Sequence, residues 1–142
     1  MSITIFTDRI SIVTETGLDI VNITSSLTDS VKKSKIIHGS LNATVIGSTS
    51  SVTTIEFEPG VINDLKKAIT RFAPPNIEYE HEKAWHDGNG HSHVQAALLG
   101  PSIALPVRDG RLTLGTWQQA VIINHDNKAR KRVMDITIIG AI

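Results

Sequence analysis

No cysteine occurs anywhere in this chain, which excludes a disulfide framework, a thiolate zinc site and a cysteine nucleophile together. Charge of a dominant sign is also missing. Lys plus Arg and Asp plus Glu number 14 each, so no global field draws in nucleic acid or an anionic membrane. The longest apolar runs fall far short of a membrane span. The N-terminus, MSITIFTDRISIVTE, alternates and carries acids and a base, unlike a secretory leader. Repeats, low-complexity tracts and linkers are absent, as are a Gly-rich phosphate loop and a DDxxD-like carboxylate cluster. What remains is a chain of 142 residues, long enough to bury a core without staples. The expectation is one domain over residues 1–142, soluble and cytoplasmic.

The patterning reads as mixed α and β. Ile3, Ile5, Ile10 and Ile12 alternate with polar residues, as a half-buried strand requires. Over 18–33, Leu18, Ile20, Val21, Ile23, Leu27 and Val31 stand near helical spacing, with Lys32 and Lys33 suited to a last turn. From Gly39 to Phe57 the chain is rich in Val, Ile and Thr, predicting two strands broken near Gly47 and Ser48. Val61, Ile62, Leu65, Ala68, Ile69 and Phe72 form one stripe, a helix closed by Pro74 and Pro75. Ser92 is placed to cap a short helix ended by Gly100 and Pro101. The last forty residues read as strands, with an Asp109–Gly110 hairpin signal among them. The fold class expected is α+β, a mainly antiparallel sheet or sandwich with two or three helices.

Chemistry concentrates in YEHEKAWHDGNGHSHV, which holds four of the six histidines: His81, His86, His91 and His93. Imidazole titrates nearest neutral pH and is the commonest metal ligand. On an extended backbone, His91 and His93 at i, i+2 would project to one side. Gly88 and Gly90 allow the tight bend by which His81, His86 or Asp87 would join them. Such a set suits zinc, or magnesium or manganese, with an open position for a water or substrate. Glycine-flanked histidines serve equally as caps, loop hydrogen-bonders and interface residues. His38 and His125, isolated beside strands and turns, read as structural or solvated.

Three further groups invite a role. Glu56 and Glu58 share one face of a strand; buried they would act as a cation site or an acid–base pair, exposed they are solvated acids. Lys128, Arg130, Lys131 and Arg132 read as a charged hairpin end, with phosphate binding as the rival. Trp117 and Gln118 pair an aromatic with an amide at a strand end, placing Trp117 in the core or on a pocket wall.

The order of these motifs resembles the YjbQ family. A Thr/Ser strand leads to a Pro and a helix bearing Asp64; then come YEH, SHVQAALLGPS and LPVRDGRLTLGTWQQ. The resemblance runs from about residue 40 to the C-terminus. It implies an α+β fold, a homotrimer, and polar motifs gathered in one cleft near a subunit boundary. Residue by residue, His81 matches the YEH histidine, His93 the SH histidine, Gln118 the glutamine of GTWQ, and Asp64 the helix aspartate. Two departures stand out. The family's HTSA element is here Ser48-Thr49-Ser50-Ser51, without its histidine. Its Asn-Glu-Asn is here Glu56-Phe57-Glu58.

Members of that family are often labelled secondary thiamine-phosphate synthases. Joining a pyrimidine pyrophosphate to a thiazole phosphate needs a divalent ion, cationic donors and a slot for a flat ring. His81, His86, His91 and His93 are the expected ligands; Arg108, Arg111 or Arg132 would meet phosphates and Trp117 a ring. Glu58, Asp64 and Gln118 are the catalytic candidates. Two other classes fit the same residues. One is a metal-dependent hydrolase or lyase of a small phosphorylated metabolite, with Glu56, Glu58 or Asp64 as base. The other is a non-catalytic trimeric module that holds a small anion or a metal.

Overall fold

The computed structural model describes residues 2–142. Strand β1 spans Thr4–Thr14 and β2 Asp19–Asn22, followed by helix α1 (Thr24–Ser34) and strands β3 (His38–Ile46) and β4 (Ser50–Glu56). Helices α2 (Pro59–Phe72), α3 (His81–Trp85) and α4 (Gly90–Leu99) come next. Strands β5 (Ser102–Arg108), β6 (Arg111–Leu112), β7 (Gln118–Asn124) and β8 (Arg130–Ala141) close the chain. All strand pairs are antiparallel, in a five-stranded sheet ordered β1-β8-β3-β5-β6 and a three-stranded sheet ordered β2-β7-β4. The α+β class read from the sequence holds, with four helices rather than two or three. No helix among the described residues is long and apolar enough to cross a membrane.

Period-two patterning decides which face each strand buries. Along β8, Met134, Ile136 and Ile138 point inward, and Leu41, Ala43 and Val45 do the same along β3. These side chains meet Val52, Ala120 and Ile122 of the smaller sheet, with Leu27 and Val31 of α1 in the same cluster. Burying one such aliphatic side chain stabilises by about 1.5–3 kcal/mol. The opposite face of the smaller sheet is covered too. Val121 and Ile123 pack with Ile20 and Ile69, against Ile62 and Leu65 of α2. Strand β7 therefore buries both its faces.

Two expectations change in detail. Residues 18–33 are not one helix, because Ile20 pairs with Ile123 as a strand and only Thr24 onward coils. Asn22 makes the break, its side-chain oxygen accepting from the Thr24 N–H at 3.0 Å. Sheet pairing with β7 outweighs a helical spacing that was coincidental over its first turn. Strand β1 is continuous, but only Phe6, Ile10 and Ile12 pack on the core; Ile3 and Ile5 face outward.

Helix α2 matches its stripe. Pro59 occupies the first turn, and Glu58 caps it by accepting from the Gly60 and Val61 N–H groups, the latter at 3.1 Å.

Candidate functional site

The histidine-rich segment is built, not loose. Glu82 of α3 accepts from the N–H groups of Gly88 (2.6 Å) and Gly90 (2.9 Å), and these bonds hold its carboxyl below the usual range. A side chain at Gly90 would run into Tyr79, so glycine is required there by close approach. The Asn127 N–H donates to Asn89 Oδ1 at 3.1 Å and its amide to the Asp87 carbonyl at 2.8 Å. The segment is thereby fastened to the turn between β7 and β8. Ser92 lies inside α4 rather than at its cap, which is Asn89. Its Oγ is 2.6 Å from both Asn89 Oδ1 and the His125 carbonyl.

Because His91 and His93 are helical, not extended, their side chains leave α4 about 200° apart. His93 meets His81, with ring centroids 4.5 Å apart and planes at 52°. His81 Nε2 lies 3.5 Å from Asp87 Oδ1, without hydrogen-bond geometry, and has no other partner. His91 faces a separate cleft of about 490 Å³, walled by Lys66, Gln95, His125 and Asn127 among others. Burial pushes the His91 pKa down, against the pull of Glu82 and Asp126. His86 stands exposed in the left-handed conformation that ends α3. The expected four-histidine set is thus split three ways. Among the described residues no three His, Asp or Glu side chains are gathered where a metal ion would need them. The donors present are a pair, and zinc, magnesium or manganese has no ready cage here.

The catalytic candidates lie elsewhere. Glu58 is the cap of α2, and Asp64 is exposed on that helix. Gln118 donates to Thr54 Oγ1 at 2.9 Å and accepts from the Gly115 N–H at 3.0 Å. Trp117 is 75% exposed, so it joins no core. It shares a recess with Glu56, Phe57 and Glu58, and that recess has no lining residue in common with the one at His93. The structure therefore brings His81 and His93 together, and gathers Glu58 and Trp117 in a second place.

Sequence reasoning missed the buried polar layer beneath α4. His125 is 1% exposed. Its Nδ1 is 2.9 Å from Gln95 Oε1, and the Gln95 amide donates to the Ala73 carbonyl at 2.8 Å. Gln95 therefore accepts from His125, the ring proton sits on Nδ1, and Nε2 accepts from Ser51 Oγ at 2.7 Å. Burial, with Arg132 and His91 nearby, drops the His125 pKa to about 4. Burial alone would raise Asp126. Contacts with Asn89 and Thr49, the Lys128 N–H and Arg130 outweigh it and leave the carboxyl below its ordinary value.

Arg132 was read as part of a charged hairpin end, yet it is only 7% exposed. The signal was available: Arg132 shares parity with Met134, Ile136 and Ile138. Its Nη2 lies 2.7 Å from Thr49 Oγ1 and 2.6 Å from Asn124 Oδ1. Among the described residues no carboxylate oxygen comes within 4.0 Å of its guanidinium. Burial lowers its pKa, Asp126 opposes that, and Arg130 adds to it.

In front of this layer is a recess of about 270 Å³, lined by Gly47, Ser48, Ser50, His93, Ala96, Ala97 and Pro101. Ser48, which stands where the family pattern has histidine, thus shares a wall with His93. One imidazole, His93, and two serines line the recess, with His81 packed against His93; a third imidazole beside that pair would have completed a metal cage.

An antiparallel two-sheet body with a histidine-walled recess between α4 and the β3–β4 turn defines a small α+β protein with a ligand-sized pocket. The chain belongs to the YjbQ-like UPF0047 family, whose model matches residues 8–141. A UPF0047 protein of Methanothermobacter thermautotrophicus is 30% identical over 129 residues, covering 91% of this chain and 89% of its own. YjbQ of Salmonella typhimurium is 32% identical over 120 residues, covering 83% and 86%. A crystal structure from Sulfolobus solfataricus, described as a YbjQ-like protein of unknown function, superimposes with a TM-score of 0.93 at 30% identity. That match covers 98% of this chain and 99% of the other.

Proposed function

We propose that the protein binds a small metabolite in the recess at Ser48, Ser50 and His93, and that the His81–His93 pair moves protons on it without a resident metal. One observation carries this reading. Among the described residues the buried side-chain polar atoms that lack any partner are Ser50 Oγ, His81 Nε2 and Arg132 Nε; Ser50 lines this recess, Arg132 reaches Gly47 on its wall, and His81 packs on its His93. Buried polar groups are almost always satisfied, and each orphan costs about 1–3 kcal/mol. Three at one place indicate a partner supplied from outside the chain.

Paired imidazoles are suited to general acid–base work, one accepting as the other donates. The synthase and metal-dependent hydrolase readings both route their chemistry through a divalent ion, which the paired donors do not cage. A metal-independent lyase, isomerase or hydrolase step fits the donors better, and so does simple binding. Self-association is part of the same proposal. Ile5 and Ile139 pair on the outer face of the large sheet, both exposed with Ile3 nearby in sequence, and a second copy would cover them.

The test is a thermal-shift screen of small phosphorylated and carboxylated metabolites on wild type, His81→Ala and His93→Ala, with NMR analysis of each ligand recovered. A ligand that stabilises wild type and fails with the variants supports the reading, and conversion of that ligand makes the protein an enzyme. Equal stabilisation of all three proteins would overturn it.

A further inference from the structure

We propose that this recess seats the phosphoryl group of its ligand, held by Arg132 Nη1 and Ser50 Oγ at the glycine of the β3–β4 turn. The inference rests on the recess being the ligand site and adds the chemical class of what enters it.

The argument begins with Arg132. A guanidinium this buried is normally matched by a carboxylate, and this one has none within 4.0 Å. The acid that acts on it through space, Asp126, is occupied by Arg130 at 3.1 Å and by Thr49 Oγ1 at 3.0 Å. Nη2 is fully engaged by Thr49 and Asn124, which fixes the plane of the group. Nη1 makes no hydrogen bond within the described residues. A charge this well oriented and this poorly neutralised is an incomplete anion site.

The geometry at Gly47 shows where the anion would come. Gly47 has φ of +140°, a conformation that side-chain-bearing residues rarely adopt. A Cβ built there would lie 3.0 Å from Arg132 Nη1 and 3.3 Å from Ser50 Oγ. Both donors therefore flank the space that glycine leaves open, and Gly47 and Ser50 both line the recess. Ser50 Oγ is buried and has no partner, so its proton is available. Ser48 and His93 on the same walls supply further polar groups from other directions. A guanidinium, hydroxyls and an imidazole arranged around one hollow match a tetrahedral oxyanion with several acceptor oxygens better than a planar carboxylate. The hollow has room for a phosphoryl group and a small remainder.

The experiment titrates inorganic phosphate, pyrophosphate and acetate into the full chain in chloride buffer, following backbone amides 47–51 and the Arg132 side chain by NMR. Phosphate should shift these signals saturably, and acetate at equal concentration should not. Ser50→Ala should weaken phosphate about tenfold while the protein stays folded, since its hydroxyl holds nothing in place. Arg132→Lys keeps the charge but loses the fork and should weaken it at least as much. Lys131→Ala, exposed on the same strand, should bind as wild type does. Absence of saturable shifts, equal response to acetate, or binding indifferent to both Ser50→Ala and Arg132→Lys would each overturn the phosphoryl seat. A metabolite that still depends on His93 would then leave the proton-transfer reading standing. Phosphate binding that survives beside indifferent histidine variants would sink that reading and leave the seat.

Discussion

Acid should destabilise this protein in a window set by His125. The ring is neutral in the fold, with its pKa near 4 against an ordinary 6.5. Protonation would break the bond that Nε2 accepts from Ser51 and place a cation beside Arg132. The unfolded chain has no such restraint and takes up a proton below about pH 6.5. Between pH 6.5 and 4 the unfolded state therefore binds more protons, and stability falls as pH falls. At 1.36 kcal/mol per unit, the drop from 6.5 to about 4 corresponds to about 3 kcal/mol lost across that window. His125 is almost wholly excluded from water, so screening removes little of it. His91 is shifted in the same direction and adds to the slope. The depressed acids Asp126 and Glu82 act mainly below this range, because their ordinary values are 3.8 and 4.5. Urea unfolding at half-unit steps from pH 7.5 to 4 reads the slope directly. His125→Gln should start less stable and show a flatter acid limb, while His91→Asn should flatten it only in part. A wild-type stability constant from pH 6.5 to 4.5, or a His125→Gln slope as steep as the parent's, would refute the reasoning.

Other outcomes follow from neighbouring groups. Ser51→Ala should cost about 1–3 kcal/mol by leaving His125 Nε2 unpartnered, while Ser50→Ala next door should cost less than about 1 kcal/mol. Thermal unfolding of the two variants side by side decides it, and equal losses would contradict the orphan status of Ser50. Glu58→Ala should destabilise by about 1 kcal/mol through the lost cap of α2. If ligand conversion vanished while melting was unchanged, Glu58 would be catalytic rather than a cap. Plasma mass spectrometry of untagged protein should find well below one metal per chain, and Ser48→His should raise zinc affinity by adding a third imidazole beside the His81–His93 pair. Stoichiometric zinc in wild type, lost on His93→Ala, would reverse the assignment of an incomplete cage.

How much of this was legible from residues alone depended on which periodicity governed them. Helix α2 was readable because its stripe, Pro59 and the closing prolines all agree. The strands of the C-terminal third were readable for the same reason. Residues 18–33 misled because Ile20 and Val21 satisfy helical spacing as well as strand pairing, and only the presence of β7 beside them decides. The histidine count marked the right segment, but their grouping hinged on a backbone state. In an extended chain His91 and His93 would converge; in α4 they part, and His81 becomes the partner of His93. Arg132 hid in a run of basic residues, although its parity with the β8 core stripe pointed inward. Partners far along the chain, such as Thr49 for Arg132 and Ser51 for His125, have no local signature and need the fold to find them.

Strand β7 has no side on which change is free. Elsewhere in the sheets, as along β5, buried and open positions alternate, so every second residue can drift in evolution without touching a core. From Ala120 to Ile123 that freedom is gone, since even positions meet the large sheet and odd positions meet α2. The run continues into Asn124, His125 and Asp126, all buried, which together carry the polar layer behind the recess. Seven consecutive buried residues leave this stretch no position open to solvent. The pocket is hung from that stretch, so the walls facing a ligand can diversify while their mounting stays fixed.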